Sequence, residues 1–95
     1  MAKELEREFW AEQGLNYLSD KEIQNNNLLL ANLIDALLYF DVKKDRIEPY
    51  IKLLKERKTK EGYWLPYQGA EYGNGHIFTT TRVLIAMEHY EQKFD

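Results

Sequence analysis

The chain has 95 residues, 44% hydrophobic and 31% charged, with a net charge of −3 and no cysteine. That length holds one core and no second domain, in the balance of a folded rather than a disordered protein. Without thiols there are no disulfides, thiolate metal sites or cysteine nucleophiles, and the acidic balance weighs against a nucleic-acid partner, whose affinity rests on neutralising phosphates.

A first helix is predicted from about residue 3 to 18, with Leu5, Phe9 and Trp10 on one side and charge on the other. Its charged beginning lacks the apolar core of a signal peptide. Gly14 weakens it by about 1 kcal/mol relative to alanine, which invites a stop or a bend there. Ser19 and Glu22 have capping-box spacing, which starts a new helix at once. The asparagines at 25–27 are poor helix-interior residues and offer a competing start near residue 27.

From 28 to 40 only Asn32 and Asp35 interrupt the apolar residues, which predicts a central helix buried on most sides. Those interruptions leave it short of the about 20 apolar residues that span a bilayer, so no membrane contact and a cytoplasmic setting are expected. A third helix follows. Either Asp45 and Glu48 form a capping box, or Glu48 is the cap and Pro49 lies in the first turn. Ile47, Tyr50, Ile51 and Leu54 make its apolar stripe, and Lys55, Arg57 and Lys58 suit the negative end of its dipole. The charges from 52 to 60 are of mixed sign and read as surface.

Residues 59–76 hold Pro66 and four of the five glycines, a loop long enough to carry function. Asn74-Gly75 is also a tight-turn pair, so a hairpin of 63–67 with 76–80 competes with an open loop, although Pro66 argues against it. The loop is expected to be ordered but the least stable part of the fold. A last helix is predicted to start near residues 79–81 and to bury Val83, Leu84, Met87, Tyr90 and Phe94. The reading is an all-α domain of about four helices in α/α-hairpin arrangement, with a long glycine- and aromatic-rich loop before the last one.

Candidate site residues fall in two places. Tyr63, Trp64, Tyr67 and Tyr72 put aromatics along the loop, where they either stack a ligand or clamp one helix pair onto the next. Trp64 is the packing anchor in that reading, and Tyr72 the exposed ring. His76 stands between the glycine turn and the last helix, and His89 beside Glu88 and Glu91 reads as a solvated face. Thr79, Thr80, Thr81 and Arg82 at a helix start either cap it, with Arg82 paired to Glu61 or Glu71, or receive an anion. Asn32, Asp35 and Tyr39 form a narrow stripe on the apolar helix. It meets water, lines a cavity or hydrogen-bonds across a helix interface. No nucleophile stands beside a base, and no metal or cofactor site is predicted.

The segment from Ile47 to Tyr90 resembles the repeat of the terpene cyclase and protein prenyltransferase superfamily of α/α toroids. Glu61-Gly62-Tyr63-Trp64 is similar to the family's Asp-Gly-x-Trp turn, with Lys58 where a glutamine often stands, and Thr81-Arg82-Val83-Leu84 looks like an inner-helix start. The resemblance implies a toroid fragment or a small derived relative. It carries over no activity, because the cyclases' Asp-rich acid motif and the prenyltransferases' zinc-binding cysteine have no counterpart here. The expected function is a noncatalytic helical module acting through self-association or a protein partner, with a homodimer as the specific expectation. The alternative is a ligand-binding or enzymatic toroid-type fragment whose pocket joins the aromatic loop to the 32–39 stripe.

Overall fold

The computed structural model describes residues 2–70 and 76–94. They form an all-α chain: α1 (Ala2–Leu18), α2 (Lys21–Gln24), α3 (Asn27–Tyr39), α4 (Lys44–Glu56) and α5 (His76–Phe94). Among the described residues no strand forms, and no helix is long and apolar enough to cross a membrane.

α1 runs unbroken through Gly14. The glycine serves close packing rather than bending: a Cβ at that position would stand 2.7 Å from Cδ2 of Leu37 in α3. Both starts offered by the next segment are used. Asp20, not Ser19, caps α2, its Oδ1 accepting from the Glu22 N–H at 2.8 Å. Asn26 then caps α3, its Oδ1 accepting from the Leu29 N–H at 2.9 Å. Neither predicted start of α4 holds. The cap residue is Lys43, which makes no side-chain cap bond, Asp45 lies in the first turn, and Pro49 sits inside the helix. Pro49 faces solvent, where its missing N–H leaves only the Asp45 carbonyl without an intrahelical partner.

α3 is the central element. Leu30, Ala31 and Ile34 have no exposed surface, and Leu37 and Leu38 are nearly as deep. Against it lie Ala11, Leu15 and Leu18 of α1, Ile47, Ile51 and Leu54 of α4, and Val83, Ala86 and Tyr90 of α5. The α3–α5 pair is the most extensively packed in the molecule. α5 starts at His76, earlier than predicted, so residues 76–80 are helical and the proposed hairpin does not form. Its buried stripe is Thr79, Val83, Ala86 and Tyr90. Leu84, predicted inside, is exposed.

Both ends of α3 are closed by distant segments. The Pro66 carbonyl accepts from the N–H groups of Asn27 and Leu28, the Asn25 carbonyl accepts from the Gln68 N–H, and Tyr67 bridges Asn26. With Asn26 on Leu29, the first-turn amides of α3 that lack an intrahelical acceptor are satisfied by the loop and the cap. At the other end Arg7 donates to the Tyr39 carbonyl at 3.1 Å, and Lys93 donates to the Leu38 carbonyl and, at 2.9 Å, to Asp41. Asp41 there takes a left-handed backbone, φ 58°. This is the usual geometry after a helix end, although glycine is its usual occupant.

Candidate interaction surface

α1 carries two apolar stripes. The inner one, Ala11, Leu15 and Leu18, packs on α3, and its small residues let the two backbones approach closely at Gly14. The outer one holds the aromatic side chains of the helix. Leu5 is 65% exposed, Phe9 55%, Trp10 52% and Tyr17 57%. Residues 3–10 are exposed throughout, so the first half of α1 is an exposed arm, tied to the end of α3 where Arg7 donates to the Tyr39 carbonyl. The side on which Leu5, Phe9 and Trp10 lie is thus the one turned to solvent.

Beside that stripe runs a groove of about 340 Å³ between α1 and α3. Phe9, Trp10, Gly14 and Tyr17 line one wall and Leu33, Ala36, Leu37 and Phe40 the other, with Gln13 the polar member of the lining. The Phe9 and Trp10 rings meet edge to face, their centroids 5.2 Å apart. The opposite flank of α1 is charged. Glu12 and Arg46 pair at 2.6 Å, linking α1 to α4, and that hydrogen bond holds the Glu12 carboxyl below the usual glutamate range.

The residues predicted as site residues separate into two groups on other faces. Asp35 lies between α3 and α5, where it takes Arg82 at 3.5 Å and Nδ1 of His89 at 2.6 Å, while Nε of Arg82 donates to Asn32 at 3.0 Å. Of the readings of the 32–39 stripe, the cross-helix hydrogen bond describes Asn32 and Asp35. Arg82 joins α5 to α3 instead of pairing with Glu61. His89, read from sequence as a plain solvated face, is half exposed and bound to the same carboxylate. With Nδ1 on Asp35, the ring's Nε2 is left for solvent. Tyr39 is exposed, stacked beneath the Arg7 guanidinium at 5.6 Å. A shallow hollow above this group is lined by Asn32, Asp35, Ala36, Leu38, Tyr39 and His89, and by no loop aromatic.

The loop aromatics form the second group. Trp64 is buried, its indole N–H donating to the Leu54 carbonyl at 2.6 Å and its backbone N–H to Thr80 Oγ1 at 2.8 Å. It anchors the end of α4 to α5. Gly62, at φ 91°, permits the tight turn before it, in which Tyr63 and Gly62 bond back to Thr59. Tyr63 lies edge-on to His76 at 5.0 Å, and Tyr67 is exposed beside the bridge to Asn26. Tyr72 and Glu71 lie outside the described residues. Beneath the loop, Asn27, read from sequence only as part of a possible helix start at 25–27, is a buried polar residue. Its amide donates to the Leu65 carbonyl at 2.9 Å, and its Oδ1 accepts from Arg57 at 2.9 Å. Arg57 also donates to the Gln24 carbonyl, and its partial burial lowers its pKa. The signal available was position: an asparagine directly before a long apolar run.

Among the described residues no group of three or more histidine, cysteine or acidic side chains is arranged to hold a metal ion. The chain matches no family model, no curated protein and no solved structure.

Proposed function

We propose that the chain is a noncatalytic helical interaction module, working by association through the outer face of α1 and the adjoining groove on α3. One observation carries this reading: α1 buries Ala11, Leu15 and Leu18 and leaves its aromatic side chains, Phe9, Trp10 and Tyr17, in water. Apolar burial is worth about 25 cal/mol per Å². A helix that existed only to cover α3 would turn its aromatic side inward. The outer stripe belongs to the surface class that soluble proteins keep for partners.

The test is a photo-cross-linking amino acid placed at Phe9, with Lys52 on the exposed side of α4 as the control position. Irradiation of cells that make the protein is expected to give a discrete adduct from position 9 and none from position 52. No adduct from position 9 would defeat the reading.

The toroid resemblance supports a second reading, a ligand-binding fragment, because Trp64 ties an outer-helix end to the next helix as such a turn would. Retention of a small apolar molecule through native mass spectrometry is its signature.

A further inference from the structure

We infer that the occupant of this face is a second copy of the chain, laid antiparallel so that each arm lies along the other's groove. The inference rests on the association reading above and names the partner. The first argument is shape. An exposed apolar side chain (Leu5) and a concave groove (Phe9, Trp10, Tyr17, Leu33, Phe40) sit side by side on one molecule. A two-fold axis near the middle of α1 brings each Leu5 to the other copy's groove, which is a closed, self-complementary contact.

The second argument is area. Leu5, Phe9, Trp10 and Tyr17 leave on the order of 400 Å² in water, given about 150–250 Å² for a large side chain and exposures slightly above half. A standard interface takes about 800 Å² from each partner. The stripe supplies about half of that from its apolar centre, and the groove walls and polar rim lie next to it.

The third argument is charge, and it selects the direction. Along the outer stripe Glu6 is the charged residue, among Leu5, Phe9, Trp10, Gln13, Asn16 and Tyr17. A parallel pair stacks Glu6 on Glu6 across an apolar seam. An antiparallel pair centred at residue 11 sets Leu5 over Tyr17, Phe9 beside Gln13, and Glu6 against the uncharged Asn16. Glu12, on the other flank of α1, is already paired with Arg46. The two helix dipoles also oppose each other.

The experiment uses the full chain. Light scattering at tens of micromolar protein is expected to give twice 11.4 kDa. Trp10→Glu, at an exposed position, is expected to keep the helical circular dichroism and weaken the dimer at least tenfold, about 1.4 kcal/mol. Because the chain has no cysteine, register is read by oxidising a mixture of Glu6→Cys and Asn16→Cys proteins. A mixed disulfide in excess of either self-disulfide supports the antiparallel pair, and dominant Glu6→Cys self-linkage overturns it. A monomeric mass, with the position-9 adduct carrying a different protein, overturns the second copy and leaves the association reading standing. A monomeric mass with no adduct overturns both.

Discussion

The two tryptophans of this chain occupy opposite environments. Trp64 is 2% exposed, with its indole N–H bonded to the end of α4, whereas Trp10 is 52% exposed on the arm of α1. Each has other aromatics near it in sequence, Tyr63 and Tyr67 by one and Phe9 and Tyr17 by the other. The difference lies in what the neighbouring backbone offers. At Trp64 a positive-φ glycine turns the chain back over the α4–α5 junction, where the Leu54 carbonyl in the last turn of α4, which also accepts from the Arg57 N–H, takes the indole proton. At Trp10 the contact with α3 is already taken by Ala11 and Gly14, whose small size sets the helix spacing and leaves the large rings outside. Aromatic content alone therefore does not tell a clamp from a contact surface. The residues that permit close approach do.

Substituting both tryptophans gives the sharpest test of that contrast. Trp64→Ala is expected to cost about 3–5 kcal/mol, in the range for a buried large aromatic. At about 4–8 °C per kcal/mol for a domain this size, the melting point should fall by tens of degrees. Trp10→Ala, measured at a concentration low enough for monomer, should change stability by less than about 1 kcal/mol, as exposed positions do. Equal losses at both positions would mean that Trp10 is held by the body of the fold and that the arm is not free.

Asn27 probes the body from the other side, with a smaller effect. Its side chain joins the Leu65 carbonyl to Arg57 beneath the loop, and it has almost no exposed surface. Asn27→Ala leaves a partly buried carbonyl and a partly buried guanidinium each short of one partner, a loss of about 1–3 kcal/mol. Amide exchange should then speed up across 63–68 while α3 beyond its first turn keeps its protection. Uniform loss across α3 would show that the loop and the helix open as one unit.

The all-α architecture, the central helix over 28–40 and the stripe of α4 were legible because long apolar runs and helical spacing are local properties. The Trp64 anchor was legible from its place after a helix end and a glycine. The orientation of α1 was not, since periodicity reveals a stripe on a helix but not whether that stripe faces the core. Nor were the closures of α3. Arg7 on the Tyr39 carbonyl, Lys93 on the Leu38 carbonyl and His89 on Asp35 join residues more than thirty positions apart. Asp35 and Arg82 were both singled out from sequence, but only the packing of α5 along α3 brings them together. The Leu84 error has the same origin: α5 presents Ala86 to α3, so close contact again favours the small residue.

The smallest expected effect is acid sensitivity, and it compares two exposed ties, one in the body and one on α1. Asp41 is bonded to Lys93, joining the end of α3 to α5, and Glu12 is bonded to Arg46, joining α1 to α4. In each case the hydrogen bond to the cation is the main cause holding the carboxyl below its ordinary pKa. The folded chain therefore keeps these groups ionised at pH values where the unfolded chain has begun to protonate them. Their contribution is present above the ordinary carboxylate range and is lost as pH falls through the depressed folded values. Both pairs face water, so the contribution is small and screened by salt. Melting points followed from neutral pH down to about pH 3 should show a slightly shallower acid loss for Asp41→Asn than for wild type. Glu12→Gln should leave global melting almost unchanged, its effect appearing as faster amide exchange at Ala11 and Leu15, because α1 opens before the α3–α5 body does. If Glu12→Gln flattened the global acid profile as much as Asp41→Asn, α1 and the body would be one cooperative unit, and the contrast between the two tryptophans would reflect side-chain placement alone.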